Sequence, residues 1–157
     1  MAATPAVRTL EQAEVPHTLH PYEAEHAADA GYGEAAAAAL GVDPRRLFKT
    51  LVTTVDGALT VAVVPVATTL DLKSLAAAAG GRKAAMADPA VAERTTGYVR
   101  GGISPLGQKK ALPTVVDSTA LEFTTVLVSA GRRGLQVELP SGELVRLTRA
   151  RTAPIGR

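Results

Sequence analysis

The segment from Gly101 to Lys110, with the sequence GGISPLGQKK, constrains the fold of this chain more than any other. Its first seven residues include three glycines, a serine and a proline. Proline has no backbone N–H and glycine weakens a strand, so the segment cannot continue a helix or a central strand. Glycine also allows a backbone to approach a ligand closely. The segment therefore predicts a loop that is able to present bare N–H groups to a ligand.

The composition indicates a globular protein with an aliphatic core. A length of 157 residues is typical of one domain, and we predict a single domain over residues 1–157. Hydrophobic residues make up 46% of the chain but aromatic residues only 3%, so the core must consist of Val, Leu, Ile and Ala. The absence of cysteine excludes disulfides, thiolate metal ligands and a cysteine nucleophile.

Charge and hydropathy favour a cytoplasmic protein with an anionic ligand. The formal net charge of +2 is lower than expected for a protein that binds nucleic acid through nonspecific phosphate contacts alone. Basic residues nevertheless occur in groups near glycine-rich segments, at positions 45, 46 and 49, 82 and 83, 109 and 110, and 132 and 133. No window approaches the ~18 apolar residues of a membrane span, and the first residues lack the apolar stretch of a signal peptide. We therefore predict a soluble cytoplasmic protein without membrane contact.

A dipeptide turn signal predicts a β-hairpin in the first half of the chain. Asp56-Gly57 favours a tight two-residue turn, and apolar segments at residues 49–55 and 58–66 flank it. The second of these strands is largely apolar, which predicts burial on both of its faces.

The rest of the chain alternates hairpin and helix signals. Ser141-Gly142 predicts a second hairpin, between strands at residues 135–139 and 143–148. Helix starts, in which a capping residue precedes a proline, occur at Thr4-Pro5 and Asp88-Pro89. Hairpins with inserted helices favour an α/β (α+β) fold with a mixed, mostly antiparallel sheet over a doubly wound fold.

The glycine loop has a superficial similarity to a phosphate-binding P-loop. Gly102 and Gly107 have the P-loop spacing, but the Lys-Ser/Thr pair that should follow the second glycine is missing. A nucleotidase P-loop is therefore rejected. The loop is either a structural turn or part of a ligand pocket, and we favour the pocket.

Lys49 lies at the entrance to an apolar strand, within Phe48-Lys49-Thr50-Leu51. A lysine at a strand end commonly extends its ammonium group into solvent. The alternative is an ammonium group inside a cleft, where it binds phosphate or a developing oxyanion.

Other candidate catalytic residues have little support in the sequence. His17, His20 and His26 match no zinc-ligand spacing, and Ser104 and Ser129 lack the Gly-x-Ser-x-Gly frame of serine hydrolases. We predict no metal site and no cofactor. The residues alone indicate a glycine-lined site with a lysine for an anionic ligand, and they do not identify the reaction.

Several motifs together resemble the YbaK family of Cys-tRNA(Pro) deacylases. They cover nearly the whole chain in order: the Thr4-Pro5-Ala6 start, His20-Pro21-Tyr22, Phe48-Lys49-Thr50-Leu51, Met86-Ala87-Asp88, the run from Gly97 to Lys110, the run from Ser118 to Phe123, and the run from Val128 to Leu135. This family is similar to the editing domain inserted in bacterial prolyl-tRNA synthetases. The resemblance implies a barrel-like sheet surrounded by helices, and hydrolysis of the ester that joins cysteine to tRNA(Pro).

The resemblance also implies a mechanism in which the protein supplies no covalent nucleophile. The thiol of the substrate attacks its own carbonyl carbon, and the enzyme orients the ester and stabilises the oxyanion. The positions that match the family are Lys49, Gly101 and Gly102 as catalytic residues. The matching substrate-binding positions are Tyr22, Thr50, Ser104, Ser129 and Gly131.

The implied partners are aminoacyl-tRNA, specifically tRNA(Pro), and prolyl-tRNA synthetase. Two alternatives remain open at this point: a deacylase for another small aminoacyl-tRNA, such as Ala-tRNA(Pro), and a module that binds tRNA or a synthetase without catalysis. Phe and Tyr together number only five in the chain, which gives few stacking platforms for single-stranded RNA and disfavours the binding module.

Overall fold

The structure is a computed structural model that describes residues 3–23 and 32–157. His26, one of the three histidines considered above as zinc ligands, lies outside the described residues. The described residues include α-helices α1 (Pro5–Gln12), α2 (Tyr32–Leu40), α3 (Leu72–Ala78), α4 (Pro89–Thr96) and α5 (Ser141–Thr148), and a 3-10 helix at Ser118–Glu122. They also include strands β1 (Thr18–Pro21), β2 (Phe48–Val55), β3 (Ala58–Pro65), β4 (Ala84–Met86), β5 (Thr114–Asp117), β6 (Thr125–Arg132), β7 (Leu135–Pro140) and β8 (Arg151–Ala153).

The predicted helix starts are confirmed by their capping hydrogen bonds. The Thr4 hydroxyl accepts a hydrogen bond from the backbone N–H of Val7 at 3.2 Å, at the start of α1. The Asp88 carboxylate accepts one from the N–H of Ala90 at 2.8 Å, at the start of α4. In both helices proline occupies the first turn, where a backbone N–H would have no acceptor within the helix, so its absence costs no hydrogen bond.

The strands form two sheets, and most of their pairings are antiparallel. One sheet has the order β1-β7-β6, and the other has the order β4-β2-β3-β5-β8. Among the ladders between described strands, those of β5 are parallel, with β3 on one side and β8 on the other. The predicted mixed, mostly antiparallel α+β fold is therefore confirmed.

The first predicted hairpin is also confirmed. Asp56 and Gly57 have φ angles of 51° and 85°, which are the positive values that a tight turn between two twisted strands requires. In β3, Val61 and Val63 belong to the core between the sheets, whereas Val64 packs towards α3. Both faces of β3 are therefore buried, as its apolar sequence predicts.

The two sheets meet at one edge, where Leu47 and Leu127 form a parallel bridge. The backbone N–H of Leu127 donates to the carbonyl oxygen of Arg46 at 3.1 Å. This contact brings the start of β2 next to β6, and α2 packs over the junction with Ala36 and Ala37. Residues of β2 and residues of the three-stranded sheet therefore face a common space.

The predicted second hairpin is wrong. Residues 141–148 form α5 rather than a turn and a strand, and the fully buried Leu144 of this helix packs into the main core. Leu147, three residues later, packs against the same core, which is the spacing of a helical face. Tertiary burial of this face outweighs the turn preference of Ser141-Gly142.

Candidate functional site

A cavity of about 420 Å³ opens along the part of β2 that β4 leaves unpaired. β4 pairs only with Thr53 to Val55, so the earlier residues of β2 border the cavity. The start of α2, the first part of α4 and the glycine loop form its other walls. Ser129 of β6 and Gln136 of β7 line it from the second sheet. The cavity therefore lies between the two sheets, beside their junction.

Lys49 lines this cavity with a half-buried side chain. Its neighbour in β2, Phe48, is 1% exposed in the core, which fixes the strand at this point. Among the described residues Lys49 takes part in no ion pair. No carboxylate of the described residues therefore lies within ion-pair distance of its ammonium group, although Glu93 lines the same cavity. Of the two interpretations of Lys49, the structure supports the one that places this residue in a cleft rather than at a solvent-exposed strand end.

Two buried oxygen atoms of cavity-lining residues lack any hydrogen-bond partner among the described residues. They are Oγ1 of Thr50 and Oε1 of Gln136. Gln136 is 4% exposed, so solvent cannot easily replace a protein partner. Leaving a buried polar atom unpaired costs about 1–3 kcal/mol, and native proteins rarely leave one without a reason. Both atoms are therefore candidates for hydrogen bonds to a ligand.

Ser129 lies opposite Gln136 across the β6–β7 pair. Its Oγ accepts a hydrogen bond from the N–H of Gly131 at 3.1 Å, which leaves the hydroxyl proton available to a ligand. The register of the two strands shifts between Ser129 and Arg132. Such irregularities redirect side chains and often lie beside active sites.

The glycine loop contributes Gly101 to the cavity wall. The backbone N–H groups on both sides of Gly101 already have acceptors. The N–H of Arg100 donates to the Glu93 carboxylate at 2.7 Å, and the N–H of Gly102 donates to the carbonyl of Val99 at 2.9 Å. No acceptor for the N–H of Gly101 occurs among these residues. Gly101, rather than Gly102, is therefore the N–H donor that remains available.

The remainder of the loop has a structural role. A Cβ atom on Gly102 would lie 2.8 Å from Cα of Arg132, so the loop packs directly against the end of β6. Ser104 is fully buried, and its hydroxyl accepts a hydrogen bond from the N–H of Leu106 at 3.2 Å. Tyr98 closes the loop by donating its hydroxyl to the carbonyl of Leu106 at 2.6 Å. Burial raises the pKa of Tyr98 to about 12, so this donor remains protonated.

Four of the eight predicted site residues line the cavity: Lys49, Thr50, Gly101 and Ser129. The other four, Tyr22, Gly102, Ser104 and Gly131, are not among its described lining residues. Tyr22 is half-buried against the cluster that includes Ala36 and Val66, and its N–H donates to the carbonyl of Gly134 at 2.9 Å.

Gly131 has a packing role behind the cavity wall. It has a φ of 107°, and a Cβ atom on it would lie 2.8 Å from the ring of Tyr98 and 3.0 Å from Cβ of Thr4. Its N–H nevertheless orients Ser129, as described above.

Four further polar or charged residues line the cavity and were not predicted as site residues: Tyr32, Glu93, Arg100 and Gln136. Gln136 and Glu138 alternate with apolar residues in β7, a pattern that from sequence alone predicts a solvent-facing polar side, so the burial of Gln136 had no signal. Tyr32 and Glu93 had no local signal. Only the packing of α2 and α4 around β2 brings them to the cavity.

A polar network lies beside Gln136 on the same face of β7. The carboxylate of Glu138 is 2.6 Å from Nη2 of Arg46, accepts a hydrogen bond from the Thr125 hydroxyl at 2.6 Å, and lies 2.8 Å from Nε2 of His20. The hydrogen bond from Thr125 is the main reason that the pKa of Glu138 lies below its usual value, against the opposing effect of burial. The network ties β1, β6 and β7 to the residues that precede β2.

The described part of the chain contains no group of three or more His, Asp or Glu side chains that could hold a metal ion. Within the same residues, no helix is long and apolar enough to cross a membrane.

Comparisons with known proteins agree with this fold. The model of a family described as the aminoacyl-tRNA editing domain matches residues 25–147. The EbsC protein of Enterococcus faecalis, whose name describes it as a Cys-tRNA(Pro)/Cys-tRNA(Cys) deacylase, is 42% identical over 153 residues, which cover 97% of this chain and 92% of that protein.

Solved structures share the fold at lower sequence identity. A crystal structure described as a trans-editing enzyme for prolyl-tRNA synthetase is 24% identical, with a TM-score of 0.82 over 100% of this chain and 99% of that one. A protein described only as hypothetical is 24% identical, with a TM-score of 0.85 over 98% and 99% of the two chains. Together with the match of the family model, the likeness to EbsC shows that the chain belongs to the aminoacyl-tRNA editing domain family.

Proposed function

We propose that this protein is a trans-editing deacylase that hydrolyses the ester between cysteine and tRNA(Pro). The observation that carries the proposal is the combination of Lys49, the unpaired oxygens of Thr50 and Gln136, and the available N–H of Gly101 around one cavity. These groups bind and polarise an ester, and none of them is a strong nucleophile. No histidine lies among the described lining residues, which favours a nucleophile that comes from the substrate or from water.

The chemistry that fits this arrangement uses the thiol of the substrate. The cysteine sulfur attacks the ester carbonyl carbon and forms a cyclic thiolactone. The bond from this carbon to the ribose oxygen then breaks, and that oxygen takes up a proton as the tRNA leaves. Water later opens the thiolactone to free cysteine. The protein holds the reacting atoms together and stabilises the negative charge that develops on the carbonyl oxygen.

The roles of Lys49 and Gly101 follow from the family resemblance, and their positions in the cavity support them. The Lys49 ammonium group binds the phosphate of the 3′-terminal nucleotide, and the N–H of Gly101 donates to the developing oxyanion. The unpaired Oε1 of Gln136 accepts a hydrogen bond from the α-amino group of the cysteine. The hydroxyl groups of Thr50 and Ser129 complete the pocket around the aminoacyl group.

Hydrolysis of purified Cys-tRNA(Pro) tests the proposal. A charge-assisted contact contributes about 1.5–3 kcal/mol. We therefore expect Lys49→Ala to lower kcat/KM by about 10-fold to 150-fold. Lys109→Ala is the matched control, because this lysine is exposed and outside the cavity lining. Full activity of Lys49→Ala would contradict the assigned role.

The identity of the nucleophile has its own test. S-methylcysteinyl-tRNA(Pro) has no free thiol, so it should resist hydrolysis by the unmodified protein. Equal rates for the two substrates would exclude the thiol as nucleophile. A panel of tRNAs charged with other small amino acids identifies the alternative substrates, because a snug pocket distinguishes near-isosteres poorly. Preferential hydrolysis of Ala-tRNA(Pro) would replace the proposed substrate within the same fold.

We propose further that prolyl-tRNA synthetase supplies part of the tRNA selectivity, and that the protein acts in the cytoplasm, where charged tRNA is used. A net charge of +2 supports few phosphate contacts, so the isolated protein should bind tRNA weakly. The slope of log K against log salt concentration should correspond to only a few phosphates. A slope that corresponds to ten or so phosphates, measured with the isolated protein, would argue that no partner is needed.

A further inference from the structure

Tyr32 and Arg133 form a pair at the cavity that the proposed chemistry does not use. The guanidinium carbon of Arg133 lies 4.6 Å from the centroid of the Tyr32 ring, which is within the range of a cation–π contact. Nε of Arg133 donates to the carbonyl of Arg100 at 2.8 Å. Tyr32 lines the cavity and is half-buried, whereas Arg133 is exposed. The pair therefore joins the cavity to the surface.

Two glycines hold this pair next to the groups assigned above. A Cβ atom on Gly33 would lie 2.4 Å from Cγ1 of Val66 and 3.8 Å from Cβ of Lys49, so the start of α2 packs tightly beside Lys49. A Cβ atom on Gly101 would lie 2.8 Å from Nε of Arg133 and 2.8 Å from Cδ1 of Tyr32.

The Tyr32–Arg133 pair thus rests directly on Gly101, which lines the cavity and whose N–H has no acceptor among the described residues. On its other side it adjoins the strand that carries Lys49. Any ligand that contacts both Gly101 and Lys49 therefore passes close to the pair.

We propose that the Tyr32–Arg133 pair is a stacking platform for the nucleobase of the 3′-terminal nucleotide of the substrate, which is adenine in every tRNA. This inference rests on the proposed function. The terminal ribose carries three substituents: the phosphate, the aminoacyl ester and the base. Lys49 is assigned to the phosphate and Gly101 to the ester carbonyl, and the pair adjoins both.

The chemistry of the two side chains matches a nucleobase. Aromatic rings and guanidinium planes are the surfaces on which proteins stack unpaired bases. Arg133 is fixed by its hydrogen bond to Arg100, so its orientation is set before a ligand arrives. Stacking depends little on base identity. A platform at this place recognises the end that all tRNAs share and leaves discrimination to the aminoacyl pocket.

The test uses uncharged RNA, so that it does not depend on hydrolysis. A short RNA that ends in CCA carries 2-aminopurine in place of the terminal adenine, and its fluorescence is quenched when the base stacks. We expect quenching on binding to the unmodified protein. Tyr32→Leu and Arg133→Gln should each weaken binding by about 5-fold to 150-fold, the range that base–aromatic stacking gives. Tyr32→Phe keeps the ring and should retain the quenching.

Control variants separate stacking from charge and from folding. Arg82→Ala also removes an exposed arginine, but it lies beside Asp56 at the far end of β2, and it should leave the quenching unchanged. Arg133→Gln changes an exposed side chain, so this variant remains a test if Tyr32→Leu does not fold. Undiminished quenching and affinity in Arg133→Gln and in a folded Tyr32→Leu would overturn the proposal.

A second RNA, with an abasic terminal nucleotide, separates the base from the phosphate. It should bind less tightly than the adenine-terminated RNA by a similar factor. Equal affinity of the two RNAs would assign Arg133 to phosphate and overturn the platform. Failure of the unmodified protein to hydrolyse any aminoacyl-tRNA, with quenching retained, would refute the proposed function and leave the platform standing.

Discussion

Thr50→Val should make the protein more stable and less active. The Oγ1 atom of Thr50 is buried without a partner among the described residues, and such an atom costs about 1–3 kcal/mol. Valine has nearly the same shape and the same branching at Cβ, so β2 keeps its packing and its strand preference. The free energy of unfolding should rise by about 1 kcal/mol or more, and each kcal/mol raises Tm by about 2–4 °C in a chain of this length.

The same substitution removes a hydrogen bond that the bound substrate would make. The loss of such a bond costs about 0.5–1.5 kcal/mol with a neutral partner and up to about 3 kcal/mol with a charged one. We therefore expect kcat/KM for Cys-tRNA(Pro) to fall by about 2-fold to 12-fold, or by up to about 150-fold if the partner is charged. Thermal unfolding and deacylation kinetics on the same preparation measure both effects.

Thr53→Val is the matched control in the same strand. The Thr53 hydroxyl is fully buried and donates to the carbonyl of Thr60 at 2.7 Å, and Thr53 does not line the cavity. The loss of this hydrogen bond in Thr53→Val should lower the free energy of unfolding by about 0.5–1.5 kcal/mol and leave kcat/KM unchanged. The reasoning is refuted if Thr50→Val lowers Tm as Thr53→Val does and leaves kcat/KM intact.

Two further predictions concern stability. Gly102→Ala should lower the free energy of unfolding by about 1–3 kcal/mol, because its Cβ atom would meet the backbone of Arg132. Gly142→Ala lies at an open helical position and should instead raise the free energy of unfolding by up to about 1 kcal/mol. Chemical denaturation of the two variants distinguishes these outcomes. The hydrogen bond from Thr125 keeps the pKa of Glu138 below its ordinary value of 4.5, so this carboxylate stabilises the fold above that pH, and the stabilisation is lost as the pH falls through the lower folded pKa. Glu138→Gln should therefore show a smaller loss of stability on acidification, and an unchanged acid limb of the pH–stability curve would contradict the assignment.

The sequence predicted the local structure where single residues carry the information. Asp56-Gly57 specified a two-residue turn because few other pairs adopt two positive φ angles. Thr4 and Asp88 specified helix starts because each combines a capping side chain with a following proline. Ser141-Gly142 misled for the opposite reason, since a weak turn preference competed with the burial of Leu144.

The candidate site was predicted in part. Lys49, Thr50, Gly101 and Ser129 were expected at one site from the family resemblance, and the structure brings them to one cavity. Their catalytic and binding roles remain predictions. Gly102, Ser104 and Gly131 belong to the same motifs, but their nearest neighbours are protein atoms that they pack against or bond to.

By itself the sequence determined the Asp56-Gly57 turn, the helix caps at Thr4 and Asp88, the aliphatic core and the family. The tertiary structure alone decided which polar residues line the cavity. Tyr32 and Gln136 lie far apart along the chain and have no shared motif, and they line the same cavity because α2 packs on β2 and β7 pairs with β6 in one register. The physical reason is that strand register and helix packing set which side of an element a residue faces, and a shift of one position would turn Gln136 away from the cavity.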